Sequence, residues 1–350
     1  MNNLQRLVFI AFAALATPIF AQESSVSFYH KDWATICDNT LTCRTGGPAK
    51  EREAGGLLLT RQAGAGATAT GEVILADNME NATPVKKLTL WINNKPAGSL
   101  TAAENNDWQL SEAQTRAVIN AVKGSGKIEF KGGHQPFLLS GEGAYAALLK
   151  ADDIQGRIST PGAWIKKGNK PESSVGKAVP APVIQAAKVS QAKPRILTKA
   201  EAKALRPQLL ATVGSDQNCE YLTLVGEKDV NGNIISGEIT ATPLDDAHVM
   251  LSTQCWGAAY NEGYGYWVTD NQMKAKPVIV TSDAETYRNG VISAIMLGSS
   301  AGRCASTDEW VWDGKAFRPA LAQINASCWF PSTYSEKSLP TLVTVVKASL

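Results

Sequence analysis

The sequence predicts a mainly β protein with a few helices, built as two domains: a sandwich-like α+β first domain and an antiparallel β second domain. Three observations predict it. Short β-prone runs bounded by turn residues fill the first half, Asn-Gly and Asp-Gly dipeptides between strand-like runs punctuate the second, and a basic, proline-bearing segment separates them. A chain of 350 residues with 44% hydrophobic content is ordinary for a globular protein and exceeds what one small core normally organises.

At the start, Arg6 precedes an apolar stretch from Leu7 to Ala16, followed by Thr17, Pro18 and the small Ala21. This is the layout of a signal peptide over residues 1–21, which predicts a periplasmic or secreted protein. The stretch falls short of the roughly 20 residues that cross a bilayer, and no later segment comes close, so no membrane span is expected. A lipid anchor would need a cysteine at the cleavage point, but the first one is Cys37. Net charge is near zero, with 34 basic against 32 acidic residues, and no nucleic-acid partner is expected.

In the first domain, residues 22–165, the runs GLLLTR (56–61), GEVILA (71–76), KLTLWI (87–92) and KIEF (127–130) are predicted strands. Two helices interrupt them. Ser111 and Gln114 form a capping box ahead of EAQTRAVINAVK, with Gly124 as a stop. A second helix is predicted over about 142–153, with Tyr145, Leu148 and Leu149 on or near its apolar face.

Residues 166–197 carry prolines and no sustained apolar periodicity, so they read as a solvated basic Pro/Ala/Lys linker. In the second domain, residues 198–350, Thr198 and Glu201 make another capping box and open a short helix that Pro207 should disrupt. Asn231-Gly232, Asn289-Gly290 and Asp313-Gly314 each predict a tight hairpin, because such pairs supply positive φ angles. In EWVWDGKAFRP, a two-residue turn sets Trp310 opposite Phe317 with Trp312 on the same face, an aromatic cluster in the sheet core.

Six cysteines follow the signal: Cys37, Cys43, Cys219, Cys255, Cys304 and Cys328. An even count in an exported chain predicts disulfides. There is no CxxC pair, and His30, His134 and His248 stand singly, so no metal site is predicted. A three-residue loop of Asn39, Thr40 and Leu41 between two strands would set Cys37 opposite Cys43, within bridging distance. The other four allow three pairings. Nearest neighbours, Cys219 with Cys255 and Cys304 with Cys328, are preferred because each pair brackets a hairpin-bearing segment. Chain entropy assigns about 2.4 kcal/mol to the shortest loop and about 3.5 kcal/mol to the loop from Cys304 to Cys328.

Four motifs invite chemistry. Gly141-x-Gly143-x-x-Ala146 has the outline of a dinucleotide fingerprint but lacks the repeated βαβ context, and reads as a strand-to-helix turn. Gly124-Ser125-Gly126-Lys127 lacks the first glycine of a phosphate loop and has Ile128 at the magnesium position. Asp229, Asn231 and Asn233 resemble the start of a calcium loop, but Thr240 stands where a bidentate Glu belongs. Asp245, Asp246 and His248 could share proton transfer, yet no recognisable nucleophile or oxyanion hole accompanies them. No cofactor and no catalytic residue is assigned.

The most unusual stretch is CWGAAYNEGYGYWVTDN, from Cys255 to Asn271. Trp256, Tyr260, Asn261, Glu262, Tyr264, Tyr266 and Trp267 are interleaved with glycines, a composition that suits an irregular loop stacking on a sugar or gripping a peptide. The alternative is a loop and edge of an aromatic β core pinned by Cys255.

The signal, the WxxxCDNxxxC opening, CWGAAYN, GRCASxxEWVWDGKAF and a last CW make the chain resemble a bacterial exported six-cysteine family known only as a domain of unknown function, number eleven seventy-six. The likeness covers nearly the whole mature chain and all six cysteines, and implies no activity or catalytic residues. The first half is also similar, more remotely, to the invasion-associated locus B family of exported β-sandwich proteins, through Trp33 to Cys37 and FLLSGEGAYAALLK. The expected function is non-catalytic binding of an envelope glycan or an envelope protein. The alternative is an envelope polymer hydrolase or transferase using Glu262, Asp245 or Asp246.

Overall fold

The computed structural model describes residues 25–50, 54–76, 84–103, 107–215, 217–298, 304–329 and 337–348. The expected signal peptide, 1–21, lies outside them. Among the described residues no helix is long and apolar enough to cross a membrane.

The first half contains β1 (Val26–His30), β2 (Trp33–Cys37), β3 (Cys43–Pro48), β4 (Gly55–Arg61), β5 (Ala69–Leu75), β6 (Thr89–Ile92), β7 (Lys95–Ser99), β8 (Thr101–Ala102), β9 (Asp107–Leu110), α1 (Glu112–Val122), β10 (Ile128–Lys131), β11 (Phe137–Leu138) and α2 (Ala144–Ile154). A seven-stranded sheet runs β1-β2-β3-β4-β5-β9-β8, and a four-stranded sheet runs β11-β10-β6-β7. Both helices and both sheets close on one core that includes Trp33, Leu57, Val73, Leu90, Phe130 and Leu148. The Ser111–Gln114 capping box is formed in both directions and starts α1. In α2 the buried positions are Ala144, Ala147, Leu148, Ala151 and Asp152, whereas Tyr145 faces out at 48% exposure, contrary to expectation. Small residues take that face because β2 approaches closely: Thr35 Oγ1 donates to the Ala147 carbonyl at 2.8 Å.

The second half contains β12 (Val183–Gln185), β13 (Arg195–Ile196), α3 (Lys199–Leu210), β14 (Thr240–Pro243), β15 (His248–Gly257), β16 (Glu262–Asp270), β17 (Val278–Ala284), β18 (Thr286–Arg288), β19 (Val291–Leu297), β20 (Ala305–Trp312), β21 (Phe317–Asn325), β22 (Ser338–Val343) and β23 (Val345–Lys347). Two five-stranded antiparallel sheets, β13-β14-β15-β16-β17 and β18-β19-β20-β21-β22, dominate it. The first sheet is covered on one face by α3, through Leu205, Leu209 and Trp267, and on the other by the second sheet, through Met250, Tyr266, Ile292 and Trp312. The protein is mainly β with multiple antiparallel sheets.

Three local expectations change and one holds. α3 runs through Pro207 to Leu210, because Leu205 and Leu209 hold it to the sheet while Pro207 sits on the exposed side, where water can take the carbonyl left without a donor. Asn289-Gly290 makes the two-residue turn expected, with φ of 49° and 83°. Asp313-Gly314 instead opens a four-residue loop: the Asp313 carboxylate accepts the N–H groups of Lys315 and Ala316, so Trp312 faces Phe317 and Trp310 faces Pro319. Asn231-Gly232 closes a turn backed by the single bridge Lys228↔Ile234, since the Asp229 carboxylate takes the N–H groups of Asn231 and Asn233 that a ladder would need.

Within the basic segment, residues 183–196 are bonded to the second half. β12 pairs in parallel with β23, Ile184 is buried with Val311 and Ala320, Ser190 N–H donates to the Leu244 carbonyl, and β13 pairs with β14. The halves also touch. Period-two alternation turns Ile36, Leu58 and Ile74 to the face of the large sheet opposite its helices, and there they meet Ala326 and Leu339. This explains why β2 is buried at every position. Asn39 completes the contact by exchanging two hydrogen bonds with the Val343 backbone.

Three disulfides are present: Cys37–Cys43, Cys219–Cys255 and Cys304–Cys328. Cys37 and Cys43 face each other across β2 and β3, with Asp38 N–H donating to the Thr42 carbonyl at 3.1 Å.

Candidate functional site

The aromatic and glycine-rich stretch from Trp256 to Trp267 is a β-hairpin, not an irregular loop. β15 and β16 pair from His248↔Asp270 to Gly257↔Glu262, and the turn is closed by Ala258 N–H on the Asn261 carbonyl at 2.8 Å. Its glycines answer to packing. A Cβ on Gly263 would overlap the Trp256 indole and the Ser282 carbonyl, and one on Gly265 would overlap the Trp267 ring and lie 2.6 Å from Cys255 Sγ. Glycine lets two tryptophans lie flat on the sheet.

Alternation along β16 divides the predicted binding residues between two faces. Trp267 is fully buried against α3, and its Nε1–H donates to Thr212 Oγ1 at 2.8 Å. Trp256 packs on the same core and donates to Asp283 Oδ1 at 2.9 Å. Tyr264 and Tyr266 turn the other way, toward the second sheet, and burial pushes the Tyr266 phenol up to about 12. At the turn, the Asn261 amide exchanges two 2.9 Å hydrogen bonds with the Leu297 backbone, Glu262 accepts from Gln254, and Tyr260 stands 48% exposed. The seven residues therefore do not converge on one surface.

What does converge is a groove of about 570 Å³ between the two sheets, walled by Val268, Val278, Val280, Trp310, Phe317 and Pro319. His248, Lys276 and Lys315 supply polar groups to it. On the other side of Trp310 and Pro319 lies a second cavity of about 230 Å³, lined also by Asp308, Leu321, Thr341 and Asn39. Trp310 and Pro319 belong to both, so they form a shared wall. The four-residue loop after Trp312 puts them there, by setting Trp310 opposite Pro319. From the sequence Trp310 reads as core; its partner at the true register was hidden by the turn length.

The Asp245–His248 pair sits at the groove's end. His248 Nδ1 lies 2.9 and 3.0 Å from the two Asp245 carboxylate oxygens, and its ring meets Trp312 edge-on at 5.3 Å. Burial works against the Asp245 charge, but the Ala247 N–H and the His248 ring and N–H hold its carboxyl below the usual range. Asp246 is exposed, and its backbone carbonyl accepts from the Asn271 amide. The groove hydroxyl, Thr269 Oγ1, donates to the Ala275 carbonyl, so it is not aimed at the histidine. In the second cavity, burial and the neighbouring Asp283 push the Asp308 carboxyl up, and it accepts no hydrogen bond from the described residues.

The motif-like stretches have structural uses. Gly143 has φ of +97°, and a Cβ there would overlap the His30 carbonyl, so the turn and its close packing account for the glycine. Gly126 lies against Ala121 of α1. Asp229 is bonded within its own turn. Among the described residues, no group of three His, Cys, Asp or Glu could hold a metal ion.

A family model described as protein of unknown function (DUF1176) matches residues 27–339. The chain belongs to this family. It is also similar to the uncharacterized protein YpfG of Escherichia coli (strain K12), with 23% identity over 353 residues, covering 92% of this chain and 94% of that one. No solved structure matches. The match spans both halves, the basic segment and all six cysteines. It adds no link to the invasion-associated locus B family.

Proposed function

We propose that this is a periplasmic or secreted envelope-binding protein that works by binding rather than catalysis, with its ligand in the groove between the two C-terminal sheets. The observation that carries the reading is Trp310, an indole left half-buried between two cavities, in a position to pack against a bound chain on either side. Export rests on the signal-like start and the three disulfides. Residues 22–165 would serve as a supporting domain and 198–350 as the binding domain, joined through 166–197. The test is retention of the purified oxidised protein on peptidoglycan and on envelope proteins. Trp310→Ala should cut retention at least fivefold with an unchanged circular dichroism spectrum, and unaltered retention rejects the reading.

A second reading, hydrolysis or group transfer on an envelope polymer, is favoured by the Asp245–His248 pair at the groove's end. It requires product release from isolated envelope that disappears in Asp245→Asn. Absence of turnover in the wild-type protein removes it.

A further inference from the structure

Resting on the groove reading above, we propose that the ligand is a short peptide bound in extended form, whose protonated amino group is held between the Asp308 carboxylate and the Trp310 indole. Asp308 and Trp310 are two positions apart on β20, so both side chains leave the same face of the sheet and both line the 230 Å³ cavity. The Asp308 carboxylate is without a hydrogen-bond or ion-pair partner among the described residues. Its charged neighbour, Asp283, is of like sign and already accepts from Trp256 and Ser282. An unpaired carboxylate half out of water beside a second carboxylate is unfavourable when ionised, and a ligand cation relieves both the desolvation and the repulsion. Trp310, Pro319, Leu321, Ala322 and Leu342 supply apolar wall here, while of the polar lining the Asn39 amide is engaged with the Val343 backbone and Thr341 Oγ1 donates to the Ala322 carbonyl. Such a lining suits an organic cation with a hydrocarbon stem, which gains contact with the indole face, better than a hard metal ion that needs several oxygens.

The other side of Trp310 carries the opposite sign. Lys276 and Lys315 line the larger groove, where the one carboxylate with them, Asp270, is occupied by the N–H groups of Gln272, Lys274 and Ala275. An amine at one end, a carboxylate at the other and apolar side chains against Val268, Val278 and Val280 describe a short peptide. β17, the last strand of its sheet, also lines that wall and has no ladder partner on its outer edge among the described residues.

The experiment titrates full-length oxidised protein calorimetrically with the tripeptide Ala-Leu-Ala, its N-acetylated form and its C-terminal amide. Acetylation should weaken binding at least tenfold and amidation several-fold. Asp308→Asn should make the free and acetylated peptides equivalent, Lys276→Gln with Lys315→Gln should do so for the acid and amide, and Trp310→Ala should weaken all three. Equal affinity of free and acetylated peptide in the wild-type protein overturns the amine assignment, and since it needs no variant it does not depend on Asp308→Asn folding. Absence of binding by any of the peptides overturns the proposal while leaving the groove reading to the retention test. Binding of glucosamine or Ca²⁺ that Asp308→Asn abolishes, with no peptide response, assigns the cavity to that cation and overturns the peptide.

Discussion

Arg61 and Asp152, 91 positions apart, meet with Nη2 and Oδ1 at 2.8 Å where neither side chain reaches solvent. The pair is fully furnished on the acidic side: Asp152 also accepts the Trp164 N–H at 3.1 Å and the Ile165 N–H at 2.9 Å. On the basic side, Arg61 Nε donates to Gln155 and the Trp164 ring covers the guanidinium at 3.6 Å. Burial lowers the Arg61 pKa to about 10, with Asp152 resisting. The ion pair thus fastens β4, the end of α2 and the Trp164–Ile165 segment just ahead of the basic segment to one another.

Breaking it from one side leaves a buried charge unmatched. Asp152→Asn or Arg61→Met should each cost about 3–5 kcal/mol in urea unfolding, and the paired change Arg61→Met with Asp152→Leu should cost less than either. Additive losses in the double variant would show that the two residues act separately.

Gly263 and Trp256 are coupled in the same sense by shape. Gly263→Ala forces the Cβ into the indole and the Ser282 carbonyl, and should cost about 1–3 kcal/mol, read as a fall in Tm. Trp256→Ala should also destabilise, because it empties a partly buried site and strips Asp283 of its indole donor. With the ring gone the alanine at 263 has more room, so the double variant should lose less than the sum of the singles.

Much of this architecture is legible locally. Ser111 with Gln114 and Thr198 with Glu201 start helices because the cap chemistry lies within four residues, and the short loop after Cys37 sets its own register. What is not legible depends on distant partners or, at Asp313, on a choice between two local turns. Pro207 looks like a stop until Leu209 is known to reach Trp267's core. Asp313-Gly314 looks like a two-residue turn until Asp313 is seen to prefer the N–H groups of Lys315 and Ala316, and that slip alone carries Trp310 from the core to the groove wall. Gly263 and Gly265 look like loop residues because nothing in their own segment shows which ring presses on them. The groove itself, contributed by Val268, Val278 and Pro319 from separate strands, leaves no motif.

The three disulfides differ in access. Cys37, Cys43, Cys219 and Cys255 are buried, whereas Cys304 and Cys328 are half-buried. Mild reductant under native conditions should open Cys304–Cys328 first, seen by alkylation and peptide mapping, with the other two resisting until denaturant is added. Replacing Cys219 and Cys255 by Ala should cost about 4 kcal/mol against about 2.4 kcal/mol for Cys37 and Cys43, following loop length. Equal labelling of all six cysteines at low reductant would contradict this order.

Asp107 makes stability fall with rising pH in a defined window. It is 3% exposed on β9, faces Lys337 at 3.4 Å and Glu72 through that lysine, and is pushed up to about 6 by burial, with Lys337 opposing and Glu72 adding to the shift. The folded state therefore holds this proton more tightly than the unfolded chain, where an aspartate titrates near about 3.9. Its stabilising contribution is fully present below about pH 4 and is lost as pH rises through about 6, on the order of 2–3 kcal/mol. Asp229, Asp245, Asp270 and Asp313, all held low, act in the opposite sense at more acidic pH. The difference between wild type and Asp107→Asn isolates the effect: urea unfolding from pH 4 to 7 should show the wild type losing stability relative to the variant across the window. Replacing Lys337 by Met removes the opposing cation and should move the window to higher pH, and a wild-type profile parallel to that of Asp107→Asn would reject the assignment.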